Sequence, residues 1–371
     1  MKLSRACPIL LLVALNLLAP QYARAEDEPP DETLVISGHA MFRYTQKIDA
    51  DNSAELYNLR LYLDRKLEGL RFFAEPRFRQ TPLRAFSPSN VWLQQAWVGY
   101  EVPDALVSVY AGLRYTKLGL FWDNSWFGNL PYLNGLKLDP DYGLEVSGVP
   151  ELAGTDDVTL NLEYAAQYFP VEDGLNGFFA PESKLDALGA LPAGGRPIDF
   201  DSSPGFAERH IVIGRLVPSL ELGPVVMSAG ASLQTAELEG VAVEDVFDAA
   251  PEGRKTVFGA QASVAAYGAS IYAERLAEEV TGIGADITRT YYLAGAAYTY
   301  EREATWLEGF QLRANASYVD YETAGADEWF VAPGVFVQLH EMLGLTAEYV
   351  RWEFEEATVV NRIEWIIHAY F

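Results

Sequence analysis

The chain has 371 residues, 50% apolar and 13% aromatic, and a formal net charge of −25. That composition excludes a disordered chain, and the acidic surplus leaves no basic surface for nucleic acid, so no nucleic-acid partner is expected. The single cysteine, Cys7, excludes a disulfide framework and a cysteine-ligated metal centre.

The first segment reads as an export signal. Lys2 and Arg5 precede the apolar run Ile9 to Leu18, and Ala23-Arg24-Ala25 supplies an A-x-A cleavage site. Residues 1–25 are expected to be a cleaved signal peptide, since the run is shorter than the roughly 20 residues of a helical span. Leu3-Ser4-Arg5-Ala6-Cys7 has a lipobox composition but lies before the apolar run instead of after it. Residues 26–33 form an acidic extension, and cleavage removes the only cysteine, which suits an oxidising compartment. No later stretch approaches 18 consecutive apolar residues; the best candidate, His210 to Gln234, is broken by Arg215, Pro218, Glu221 and Pro224. A membrane location then requires a closed β-barrel, because only helices and closed barrels satisfy every backbone polar group in lipid.

From Leu34 onward the dominant period is two. Leu34, Ile36, Ala40, Phe42 and Tyr44 alternate with Ser37, His39, Arg43 and Thr45, and the same pattern recurs at Leu70–Phe78, Val158–Tyr164 and Phe310–Tyr318. Two stretches are less clean: Leu56, Leu59, Leu63 and Leu67 also suit a helix, and Phe258 to Leu276 is rich in alanine. Turn signals at strand spacing assign both to strands. Sixteen strands are expected, beginning near Leu34, Ala54, Leu70, Val91, Leu106, Tyr142, Val158, Arg209, Gly223, Thr256, Ser270, Thr290, Gly309, Trp329, Leu343 and Val359. Connections after even-numbered strands are short: Arg65–Gly69, Val102–Ala105, Val217–Leu222, Tyr267–Ala269 and His340–Met342. Those after odd-numbered strands include the long ones, Leu120–Asp141, Phe169–Glu208 and Thr235–Lys255. An even strand count with short turns at one end and long loops at the other is the pattern of a bacterial outer-membrane barrel. The expected architecture is thus all-β, a transmembrane antiparallel barrel over residues 34–371. The last strand fits, since Ile363, Trp365, Ile367, Ala369 and Phe371 alternate up to a terminal aromatic. Phe371 resembles the assembly signal that such barrels present to the barrel-assembly machinery.

Leu93-Gln94-Gln95-Ala96-Trp97-Val98-Gly99-Tyr100, a short turn, then Val109-Tyr110-Ala111-Gly112-Leu113-Arg114-Tyr115-Thr116-Lys117-Leu118-Gly119-Leu120 resembles the phosphate-selective porins O and P, as does Gly143–Gly148. The resemblance is close over Leu93–Gly148 and diffuse afterwards. The family's proline is replaced by Leu118, and its lysine is matched only loosely by Arg114 or Lys117. The resemblance implies a sixteen-stranded trimeric porin of the outer membrane, in contact with membrane lipid and lipopolysaccharide. It would admit small ions or solutes by passive diffusion, with a mild anion preference.

Side-chain parity places Arg43, Arg60, Arg71, Arg77, Arg79, Arg114, Arg215, Arg313 and Arg362 inward with Asp64, Glu75, Glu101, Glu145, Glu163, Glu274, Glu348 and Glu364. Arg60, Arg71, Arg77, Arg79 and Arg114 concentrate on strands two, three and five and are the expected channel lining. They either form a stripe that guides anions or pair with lumen carboxylates to stiffen the wall. The loop at residues 120–141 is expected to fold into the pore, its aromatics on the wall and Asp123, Asn124 and Asn129 at the constriction beside Trp126. The loop Pro170–Phe206, rich in proline and glycine, reads as an irregular surface lid. His39, His210, His340 and His368 form no metal-ligand spacing, and nucleophile-elbow and Walker motifs are absent, so neither enzyme activity nor a cofactor or metal is expected. His39 and His368 are neighbours if the first and last strands meet. The competing reading is a non-conducting structural or adhesive barrel whose loops bind a partner.

Overall fold

A computed structural model describes residues 34–47, 52–80, 90–102, 107–120, 129–133, 136–137, 140–155, 157–171, 206–240, 252–282, 286–301, 307–322, 327–354 and 358–371. The signal-peptide and acidic-extension assignments lie outside them. The strands are β1 (Leu34–Lys47), β2 (Ser53–Leu67), β3 (Leu70–Phe78), β4 (Val91–Glu101), β5 (Ser108–Tyr115), β6 (Pro140–Gly148 and Glu151–Gly154), β7 (Val158–Val171) and β8 (Phe206–Leu222). They continue as β9 (Val225–Gly240), β10 (Glu252–Ala266), β11 (Ala269–Thr281), β12 (Ile287–Glu301), β13 (Gly309–Tyr321), β14 (Glu328–His340), β15 (Leu343–Phe354) and β16 (Thr358–Tyr370). Both pieces of β6 pair with β7, so they are one strand interrupted at Val149-Pro150. Every strand pairs antiparallel with the next, and β16 returns to β1. The result is a closed sixteen-stranded barrel.

Each strand begins within four residues of its expected start. One turn is corrected: Val217–Leu222 is strand, and the chain reverses over Gly223-Pro224, with Val225 opposite Leu222. Pro218 looks like a turn residue, yet it sits opposite Leu162 inside the β7–β8 ladder. A proline can occupy a strand where its missing N–H coincides with a local break in pairing, and the β8–β9 ladder skips from Ser219 to Leu216. Glu68 and Gly69 have φ of +43° and +87°. Positive φ at both central residues is the two-residue turn whose twist matches the flanking strands.

One face of the wall carries apolar side chains that stay exposed: Ile36, Leu144 and Ile271 are each more than half accessible. Such a surface belongs in hydrocarbon, where apolar groups have no reason to hide. Among the described residues no helix is long and apolar enough to cross a membrane. Only α1 (Leu130–Leu133), a single turn, is helical there.

The seam runs from His39 opposite Tyr370 to Lys47 opposite Arg362. Gly38 donates to the Phe371 carbonyl at 2.7 Å and accepts from its N–H at 3.1 Å. The Phe371 ring lies over Gly38, where any larger residue would displace it. On the other face of the seam, His39 Nε2 and His368 Nδ1 are 2.9 Å apart, and His368 Nε2 meets Thr346 Oγ1 at 2.8 Å. The terminal residue is therefore part of the last rung of the closure. Deleting Phe371 is expected to lower the yield of heat-modifiable, folded barrel several-fold on an unboiled gel, and a yield equal to that of the intact chain would show that the seam closes without it.

Candidate channel lining and constriction

The chain after β5 identifies the interior. Lys117 N donates to Gln167 Oε1 on β7 at 2.7 Å, and Arg215 Nε on β8 donates to the Gly119 carbonyl at 3.0 Å. Gly119 N reaches Ser232 Oγ on β9 at 3.0 Å, Leu120 N reaches Glu274 Oε1 on β11 at 2.6 Å, and Leu130 N reaches Ser317 Oγ on β13 at 3.1 Å. So short a segment can touch strands from β7 to β13 only from inside a closed wall. Leu118, Leu130 and Leu136 complete the contact, packing with Val257, Leu276, Tyr291, Val319, Phe330 and Trp352 into a core at 0–2% exposure.

A buried charge pins this segment. Lys137 Nζ is ion-paired with Glu274 and also donates to the Leu120 carbonyl at 2.7 Å. Glu274 thus binds both ends of the segment at once. Gly119 has φ of +62° and sits against the Glu274 carboxylate, so a side chain there would be strained and would collide with the pin. The leucines make the described wall contact; Asp123, Asn124, Trp126 and the aromatics of residues 121–127 lie outside the described residues. Asn129 is corrected: it is buried at 3% instead of facing an open constriction, because it directly precedes the leucine turn that packs on the wall.

The inner face of β1–β6 is charged instead. Arg71 forks onto Asp64, at 2.6 Å, and Glu101, at 3.3 Å. Arg77 pairs with Glu75 at 2.5 Å and donates to Tyr115 Oη at 2.9 Å. Arg43 is ion-paired with Glu55, while Arg43 and Arg79 both lie over the Tyr57 ring, at 4.1 and 4.6 Å. Arg114 stacks on Tyr110 at 3.9 Å and shares Glu145 with Lys117, at 3.0 and 2.8 Å. Arg60 stands directly opposite Arg77 on one side and His39 on the other. Further round, Arg215 pairs with Glu163, Arg313 with Glu348 at 3.6 Å, and Arg362 with Glu364 at 2.8 Å. Of the two readings left open for the arginines, pairing with wall carboxylates is the arrangement seen for Arg71, Arg77 and Arg114.

Sequence reasoning missed Glu55, Tyr57 and Lys137. Glu55 was hidden by a bulge: the β1–β2 register skips Tyr57, so parity counted from Arg60 turns Glu55 outward when it in fact points in. Lys137 sits in a loop, where alternation carries no information. Its only signal was being a cation in an otherwise acidic chain.

No protein family matches the chain, and no curated protein matches its sequence. Solved structures do match its shape. The trimer form of OmpT, an outer membrane protein of Vibrio cholerae, is 13% identical with a TM-score of 0.58, covering 92% of this chain and 100% of that one. An anion-selective porin from Comamonas acidovorans is 12% identical with a TM-score of 0.57, covering 92% and 100%. OmpF of Salmonella typhi, in complex with daunomycin, is 12% identical with a TM-score of 0.56, covering 92% and 98%. The fold is therefore that of the sixteen-stranded outer-membrane porins.

Removing one member of a buried ion pair typically costs about 3–5 kcal/mol because the other charge stays uncompensated. Glu274→Ala should therefore release residues 116–120 from the wall, seen as faster amide exchange there with the strand signal unchanged. Undiminished protection at Leu120 would mean the leucine contacts alone hold the segment.

Proposed function

We propose that the protein is a porin of the bacterial outer membrane that admits small hydrophilic solutes and ions by passive diffusion. One observation carries this reading: the inner segment packs on the apolar sector of the wall, and part of the charged sector stays open to water. Arg71, Asp64 and Glu101 keep 33%, 26% and 23% side-chain exposure, whereas the leucine core opposite is closed. Side chains on a polar inner face set the field that a permeating solute meets.

The resemblance around Leu93–Gly148 supports a mild anion preference, and the pairing limits it. Arg114 and Lys117, the loose counterparts of the family's lysine, share the single carboxylate of Glu145, so one positive charge is left over. We read Arg60, Arg71, Arg77, Arg79 and Arg114 as the lining that biases passage, and Asp123, Asn124, Trp126 and Asn129 as belonging to the constriction loop. The same reading includes export by a cleaved signal peptide, use of Phe371 by the barrel-assembly machinery, and lipopolysaccharide around the loops. The trimer form of the Vibrio protein supports a homotrimer. Transport fits this interior better than hydrolysis, since the seam histidines are engaged with each other and with Thr346.

Purified protein in a planar bilayer is expected to give discrete conductance steps; their absence would leave the adhesive, non-conducting barrel. Two unit charges about 4 Å apart attract by only about 1 kcal/mol in bulk water and by more in a confined, partly desolvated pore. Loop carboxylates farther than roughly 8 Å are screened at physiological salt. Replacing Arg60, Arg71 and Arg114 together by glutamine should shift the reversal potential toward cations at low salt, with the shift shrinking as salt rises. An unmoved reversal potential in a conducting triple variant would assign these arginines to wall stiffness alone.

A further inference from the structure

We propose that the outward face of β10–β14 is a seat for a phosphorylated glycolipid of the lipid A type, one acyl chain lying in a groove below and a phosphate held above by Arg275. The proposal rests on the outer-membrane reading given above.

The groove is a gap in the apolar belt. Elsewhere the outward positions carry large side chains such as Leu144, Leu216, Leu233 and Ile367. Here Ala262, Ala273, Ala294 and Ala316 stand directly opposite one another across four strands, from β10 to β13. Adjacent strands are about 4.8 Å apart, so this row is about 14 Å wide. With Ala260 it floors a groove of about 680 Å³ open to the outside. Small side chains lower the wall there, and lipid must fill the recess.

Two residues nearer the long-loop end of each strand runs a second row, in which Arg275, Tyr292, Tyr318 and Trp329 are consecutive cross-strand neighbours. Tyr292 stacks on Tyr318 at 6.2 Å, and the tilted rings of Tyr318 and Trp329 meet at 4.6 Å. Amphipathic rings of this kind settle at headgroup level, with the apolar body in hydrocarbon and the polar tip in water. Arg275 is exposed on the same outward face. Among the described residues it makes no ion pair; its guanidinium lies 6.0 Å from the Tyr292 ring. Arg351, also exposed, is by contrast paired with Glu353. A charged side chain on the lipid-facing surface is unfavourable to a degree that grows with depth, and an anion at the headgroup level would offset the charge of Arg275.

The order of the two rows selects the occupant. The cation and the ring tips are on the loop side and the alanine floor is below them, which is the polarity of an outer-leaflet lipid standing upright. A phosphate is the anion such a lipid presents, and guanidinium binds it through two parallel hydrogen bonds. A second copy of the chain would also welcome small residues, but it would have to bring a carboxylate to Arg275 inside an apolar contact.

The test is native mass spectrometry of the folded protein incubated separately with lipid A, with lipid A stripped of phosphate, and with phosphatidylethanolamine. Lipid A should be retained several-fold more than either control. Arg275→Gln should remove that preference, and Ala294→Leu, which fills the groove, should lower lipid A retention several-fold, both with unchanged heat-modifiability. Equal retention of the three lipids, or of lipid A by both variants, would overturn the seat. So would an Ala294→Leu protein that changes oligomeric mass while keeping its lipid, since the face would then be a protein interface. A protein without conductance steps that still prefers lipid A would sink the porin reading alone, and a conducting protein without that preference would sink the seat alone.

Discussion

Every backbone N–H and C=O that enters hydrocarbon must find a partner within the protein, and for strands this means that the sheet has no edge. The seam between β1 and β16 is where that requirement is met or lost. Its register is continuous from His39–Tyr370 to Lys47–Arg362, and the Gly38–Phe371 bonds extend it by one further rung. The two faces are closed differently. Outside, the Phe371 ring rests on a glycine that leaves room for it; inside, His39, His368 and Thr346 form a short hydrogen-bonded chain. The hydrogen-bonded side chains of this rung lie on the side away from lipid.

Closure creates an interior, and the interior is divided. On β10–β15 the inward residues include Val257, Leu276, Val319, Phe330 and Trp352, which would be poor choices for a wall facing water. They are there because the segment after β5 brings Leu118, Leu130 and Leu136 to them. Burial of an aliphatic side chain is worth about 1.5–3 kcal/mol, which offsets the cost of ordering a loop that runs against the wall. The Lys137–Glu274 pair adds position more than stability, since a buried pair gains little over an apolar replacement but tolerates only one geometry. On β1–β6 the described wall instead carries arginines held by carboxylates, among them Arg71 with Asp64 and Arg77 with Glu75.

Most of the barrel was legible in the sequence, for one reason: the side-chain period of a strand is two, and lipid outside with water inside makes the two faces chemically opposite. Leu70–Phe78 and Phe310–Tyr318 could be read residue by residue. What escaped was everything that breaks the period. The bulge at Tyr57 reversed the side on which Glu55 lies. Pro218 suggested a turn one strand-end too early, although the true reversal needed only Gly223-Pro224. Lys137 lies where no period exists. The pairing of Arg71, Arg77 and Arg114 was open for a different reason, because parity tells which face a charge is on and says nothing about which carboxylate lies across from it.

The alanine-rich stretch from Phe258 to Leu276 was the hardest to read, and the structure supplies the cause. Its inward positions mix the polar Gln261, Ser270 and Glu274 with Ala265, Tyr272 and Leu276, because the inner segment meets this wall through both Glu274 and Leu276. Its outward positions are small because Ala260, Ala262 and Ala273 line a recess in the belt. With small residues outside and a mixed set inside, the contrast that marks a half-wet strand fades, and only the Tyr267-Gly268 turn separates β10 from β11. Weak alternation in a barrel strand is therefore informative in itself. Here it marks a sector of wall that the inner segment packs against, and the same sector carries an outward groove with a cation at its rim. A strand held on its inner face by a packed segment, through Glu274 and Leu276, can carry small residues on its outer one.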